Sequence, residues 1–179
     1  GPPRGSGGQN GRMSRDALHR RRTWLLRVAA ALACGPVHAG GREIDRALRE
    51  AAGRNDLAEF EALLARGADV NARDAQRDSA FLIAARQGHA AIVAAAIAAG
   101  ADLRALNRFG STALMGPSYR GHVETVRVLL ATPIDVHHVN DLGWTALLEA
   151  IVLGTDGAAH REILRLLIAA GSDVNARDR

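Results

Sequence analysis

The chain has no lysine: all 23 of its basic residues are arginine. It has one cysteine, Cys34, and six aromatic residues in 179. The lone cysteine excludes a disulfide within the chain and leaves no thiol after residue 34 for nucleophilic or metal chemistry. The scarcity of aromatics, set against abundant alanine and leucine, suits closely packed helices. No apolar run approaches the ~20 residues needed to span a bilayer.

The formal charge of +4 invites a nucleic-acid partner, but the charge is unevenly placed. Residues 1–39 carry seven Arg against one Asp, a net of +6, and the remainder is left at −2. A slightly acidic body lacks the basic footprint that a phosphate backbone requires, so no nucleic acid is expected as partner.

The leader reads in two parts. Residues 1–12 are rich in Gly, Pro, Ser and Arg and are expected to be disordered or non-native. From Met13 the pattern changes. Arg20-Arg21-Arg22 is a cationic run, Trp24 to Ala33 is mostly apolar, and Gly35-Pro36 with Val37-His38-Ala39 supplies a break and small residues before a cut. Residues 13–39 are therefore read as a signal peptide cleaved near Ala39, which places the body in the periplasm or outside the cell. An uncleaved amphipathic helix is the alternative. Arg21-Arg22 faintly resembles a twin-arginine signal. Cys34 faintly resembles a lipoprotein box, the minority alternative.

The body is periodic. Gly67-Ala68-Asp69-Val70-Asn71-Ala72-Arg73-Asp74 returns as Gly171-Ser172-Asp173-Val174-Asn175-Ala176-Arg177-Asp178. Worn copies run from Gly100 to Asn107 and from Pro133 to Asn140. The closing residues Asp74, Asn107, Asn140 and Asp178 are 33, 33 and 38 apart, a spacing that means stacked repeats. Each unit carries two apolar stripes at helical spacing, such as Ile44, Leu48, Ala51 and Ala52, then Leu57, Phe60, Leu63 and Leu64. Asn55-Asp56, Gly88-His89 and Gly121-His122 punctuate the stripes as tight turns. Asp69 and Asn71 are suited to bonding nearby backbone and fixing a turn.

These units resemble ankyrin repeats, on the recurring Gly-x-Asp-Val-Asn phrase, the Gly-His turns and the helix-opening Ser79, Thr112 and Thr145. The likeness covers about residues 42–179. It implies an all-α solenoid of about four stacked helix-turn-helix repeats with projecting hairpin-like loops, at about 42–73, 74–106, 107–139 and 140–177. It also implies a non-enzymatic protein-interaction scaffold or adaptor, here an exported one of bacterial type. An inhibitor or immunity-type protein that blocks an enzyme is the alternative; the same surface serves both. The family's helix-opening Pro-Leu-His is absent; Ala80-Phe81-Leu82, Ala113-Leu114-Met115 and Ala146-Leu147-Leu148 stand there, so apolar packing replaces a polar network.

Departures from the repeat mark expected irregularities. Arg77 stands in place of a turn glycine, predicting a less regular loop. Pro133 replaces a helix-ending glycine, so that helix must stop by Thr132. Gly116-Pro117 falls inside a first helix and should kink or shorten it. Thr155–Ala159 is a five-residue insertion that lengthens one turn. A terminal repeat normally needs a polar cap; none is visible up to Arg179, just where another repeat would open, and further repeats or another chain are expected to cover that end.

No catalytic constellation emerges and no cofactor is expected. His89, His122 and His160 recur in phase, as structural residues do. His137-His138 beside Asp135 is read as exposed loop polarity, not a metal site, because adjacent side chains in an extended loop point apart. Glu149 lies on a first helix with no acid or base partner placed by the pattern.

Phe60 and Phe81 sit at core phases, whereas Phe109, Tyr119 and Trp144 do not. In the resembled family, the loop positions flanking the turn glycine and the end of the first helix contact partners on the concave face. The resemblance thus implies a partner protein at Arg108, Phe109, Ser111, Tyr119, Arg120, Asp141, Leu142, Trp144, Val152 and Leu153. Phe109, Trp144 and their neighbours packing over adjoining loops is the alternative.

Overall fold

The computed structural model describes residues 40–155 and 157–175. The expected signal peptide, with Trp24 and Cys34, lies outside them, as do Asp156 and residues 176–179. Among the described residues there are eight helices and no strand. They are α1 (Gly40–Arg54), α2 (Leu57–Ala65), α3 (Ala80–Gln87), α4 (Ala90–Ala98), α5 (Met115–Arg120), α6 (Val123–Leu130), α7 (Ala146–Val152) and α8 (Ala158–Ala169). Odd-numbered helices pack on one another in sequence to form one layer, and even-numbered helices form a second. This is the expected all-helical stack of paired helices.

The core is the seam between the layers. Leu48, Phe60, Phe81, Ile92, Leu114, Met115, Leu129, Ile163 and Leu167 are fully buried, each side chain stabilising the stack by ~1.5–3 kcal/mol through water exclusion. Phe60 and Phe81 stand where their phases put them. Met115 and Leu82, buried at the position of the missing histidine, supply the apolar packing that replaces it.

The turns owe their shape to short polar side chains. Asp69, Asp102, Asp135 and Asp173 each accept, through Oδ1, the backbone N–H two residues on, at 2.8 or 2.9 Å. The projecting loops repeat a second device. Asp74 Oδ1 accepts from Gln76 and Asp78 N–H, Asn107 Oδ1 from Phe109 and Ser111, and Asn140 Oδ1 from Leu142 and Trp144, all at 2.9–3.1 Å. Successive tips join edge to edge: Arg108 N–H donates to Gln76 O and Asp141 N–H to Phe109 O, both at 3.1 Å.

That geometry corrects the expectation at Arg77. Its loop is as regular as the others, because the Asp74 carboxylate and the tip-to-tip bond impose it. Arg77 is held at φ 64°, where the next two loops have Gly110 at 67° and Gly143 at 82°. A residue with a Cβ pays ~1–2 kcal/mol for this.

The two prolines act as expected. α6 ends at Leu130, and the Thr132 hydroxyl donates to Leu129 O just ahead of Pro133. Ser79 Oγ and Thr145 Oγ1 accept N–H groups of the first turns of α3 and α7. α5 has no side-chain cap and starts at Met115, whereas α3 and α7 start at Ala80 and Ala146, the register of Ala113. The shortening puts Pro117 in the first turn, where its missing N–H is not needed.

Each Gly-His turn passes to the next repeat. Gly88 and Gly121 are left-handed helix ends. A Cβ on Gly88 would sit 2.5 Å from the His122 ring, and one on Gly121 would sit 3.1 Å from that of His160. The histidine rings thus occupy the space the glycines vacate. His89 Nδ1 pairs with Ala52 O and His160 Nε2 with Tyr119 O, both at 2.8 Å.

Candidate binding cleft

Aligning the first helices on the 33-residue register exposes a gap. Ile83, Gly116 and Glu149 are equivalent positions on α3, α5 and α7. The middle one has no side chain. A Cβ there would lie 3.1 Å from Arg86 Cα, so α3 and α5 approach closely at this point. Over the gap lies a cleft of about 330 Å³. Its wall from α3 and the preceding loop is Asp78, Leu82 and Arg86; from the third repeat come Asn107, Phe109, Ser111 to Ala113, Gly116 and Tyr119; from the fourth come Asn140, Leu142, Glu149 and Leu153.

Two buried carboxylates line it. Asp78 is paired with Arg86 at 2.8 Å. Glu149 is only 6% exposed, and its Oε1 accepts the Asn140 Nδ2–H at 2.7 Å. Burial pushes the Glu149 carboxyl up to about 6, against the Asn140 bond, which favours the ionised form. Asn140 is itself buried, and its amide also reaches Ser111 Oγ at 3.3 Å.

The rim is apolar and aromatic. Phe109 is 51% exposed, Leu142 60% and Leu153 50%. Ile151 and Val152 are also exposed on α7. Arg108 stacks 4.6 Å from the Phe109 ring centroid. Arg120 lies 5.1 Å from that of Tyr119 and its Nε–H donates to Tyr119 Oη at 2.8 Å. Each arginine thus restrains the ring beside it, which lowers the entropy lost when that ring is covered.

Of the ten residues expected to meet a partner, Phe109, Ser111, Tyr119, Leu142 and Leu153 line the one cleft. Arg108 and Arg120 flank it on the two rings. Asp141 and Val152 are exposed but do not line it, and Trp144 is half-buried outside it. Ser111 departs from an exposed loop position. It is 8% exposed, because its N–H and carbonyl close the loop on Asn107 and its hydroxyl receives Asn140. Asp78, Arg86, Gly116, Asn140 and Glu149 are lining residues that the sequence reading did not single out as contacts.

Of the two adjacent histidines, His137 is exposed, but His138 is half-buried with Nε2 2.7 Å from Gly110 O, which corrects its reading as an exposed loop residue. Among the described residues no group of three or more His, Cys, Asp or Glu is placed to hold a metal ion, and no helix is long and apolar enough to cross a membrane.

A family profile described as ankyrin repeats (3 copies) matches residues 47–140 and again 95–178. The chain belongs to the ankyrin-repeat family. No curated protein matches it. Ankyrin repeats are in general protein–protein interaction modules. In ankyrin terms, the cleft opens among the loop tips and the first helices of the second, third and fourth repeats.

Proposed function

We propose that this ankyrin-repeat protein is a non-enzymatic scaffold or adaptor that grips a partner protein through the cleft and its rim. The carrying observation is the clustering of exposed Phe109, Leu142 and Leu153 around one concavity in a protein whose other large apolar side chains mostly form the core. Exposed apolar groups gathered about a concavity mark a partner site, and ordered aromatic and arginine side chains contribute most to such interfaces. Inhibition of a partner enzyme would use the same surface. Activity of the captured partner, with and without this protein, separates the two.

The test is capture of a partner from the host, its identification, and reconstitution of the complex from pure components. The pair Phe109→Ser and Leu142→Ser is expected to weaken that complex at least about tenfold. An unchanged affinity removes this face from consideration.

We propose also that the body is exported. The cationic, apolar and small-residue order of residues 13–39 supports this reading. A protein recovered from its host with an N-terminus at Gly40 agrees with it, and a cytosolic protein retaining Met13 to Ala39 overturns it.

A further inference from the structure

One charge in the cleft has no counter-charge among the described residues. Asp78 has Arg86. Glu149 forms no ion pair there. Its Oε1 is taken by Asn140, and its Oε2 accepts no hydrogen bond and is not sealed from solvent. The residue as a whole is nevertheless only 6% exposed. A carboxylate in this position has lost most of its hydration and gained one amide. A cation that enters the cleft recovers part of that loss, which an apolar group cannot do.

The walls select the form of the cation. Leu82, Leu142 and Leu153 line the approach to Glu149. They suit an aliphatic stem bearing its charge at the tip. The rim has the opposite tendency. Arg108 and Arg120 are exposed on the two aromatic rings, with Asp141 exposed at a loop tip and Asp74 lining a neighbouring hollow with Arg108. Arg86 adds no free positive charge, since Asp78 holds it.

We infer that the cleft receives a single lysine or arginine side chain of a partner segment, its charge on Glu149 Oε2 and its stem along the leucines. The residues flanking that basic residue are acidic, so that they meet Arg108 and Arg120. This rests on the reading of the cleft as a protein-binding surface and supplies the chemistry of the segment bound.

The experiment is a two-dimensional NMR titration of the full chain with four capped tripeptides: Glu-Arg-Glu, Glu-Lys-Glu, Glu-Gln-Glu and Glu-Leu-Glu. The arginine and lysine peptides are expected to shift the Asn140 side-chain amide and the Gly116 and Leu153 backbone amides saturably, at about millimolar affinity. The glutamine and leucine peptides should bind at least about tenfold more weakly. Glu149→Gln, which keeps an acceptor for Asn140 and removes the charge, should weaken the basic peptides by a similar factor while the rest of the spectrum is preserved. Equal binding of the leucine peptide, an affinity unchanged by Glu149→Gln, or no shift at about 10 mM peptide overturns the inference. Each of those results leaves the broader reading to the Phe109 and Leu142 variants, whose effect on a captured partner does not depend on the Glu149 charge.

Discussion

Asn140 donates its side-chain amide to Glu149 across 2.7 Å while its Oδ1 holds the N–H groups of Leu142 and Trp144. One side chain therefore shapes a loop and satisfies a buried carboxyl on the helix that follows. Asp74 and Asn107 shape their loops in the same way. An aspartate serves in the first of these because its carboxylate needs only to accept.

The Asn140→Asp protein should keep the loop and lose the donor, leaving two carboxylates face to face. It is expected to be less stable by about 2 kcal/mol at pH 7 and to recover much of that at pH 4, where a protonated acid can donate again. Urea unfolding at the two pH values measures both. An equal loss at both contradicts the account.

Glu149 should make stability fall as pH rises. Its folded value of about 6 lies above the ordinary 4.5, so the folded protein holds the proton more tightly. The Glu149 contribution is full below pH 4.5 and is lost as pH passes through 6, a change of about 1 kcal/mol once solvent reaching Oε2 is allowed for. Glu149→Gln should flatten that part of the profile and match or exceed the parent at pH 7. A steeper slope in the variant would reverse the assignment.

His122 acts in the opposite sense. Burial holds its imidazole below the ordinary 6.5, helped by the Arg120 and His89 charges. The neutral ring is favoured in the fold, so this contribution is present above pH 6.5 and is lost as pH falls through the folded value. NMR titration should place the His122 midpoint below 6.5. Arg120→Gln should raise it toward the ordinary value, and a midpoint that does not move would leave burial and His89 as the causes.

Arg77→Gly should stabilise the protein by about 0.5 kcal/mol. Relief of the left-handed strain exceeds the entropy that glycine adds to the unfolded chain. Thermal or urea unfolding reads the change, and a destabilised variant would show that the Arg77 side chain makes a compensating contact.

The repeat itself was legible because its signals are local. Asp69, Asp135 and Asp173 bond to backbone two residues away, Ser79 and Thr145 cap the turn that follows them, and Pro117 and Pro133 act on their own helices. The cleft was legible only at its rim. Phe109 and Tyr119 announce themselves as aromatic residues out of core phase, and Leu142 and Leu153 fall where the resembled repeats contact partners. The floor depends on neighbours in three repeats at once. Gly116 reads as a weak helix residue until Ile83 and Glu149 are set beside it. Glu149 was noticed, but its partner Asn140 comes from a loop position that the pattern reserves for turn-making. Arg77 departs from expectation because the Asp74 carboxylate within the loop and the bond from Arg108 to Gln76 in the next loop together override its own preference.

The lining of the cleft begins at Asp78 and ends at Leu153. Helices α1 and α2 contribute nothing to it, whereas α7 supplies Glu149. In a stack where each pair leans mainly on its neighbours, opening proceeds pair by pair. Loss of the α1 and α2 pair leaves the floor and both walls standing, but loss of the α7 and α8 pair removes the carboxyl. The site is thus lopsided in its tolerance: one helix pair is expendable to it, and another is a wall of it.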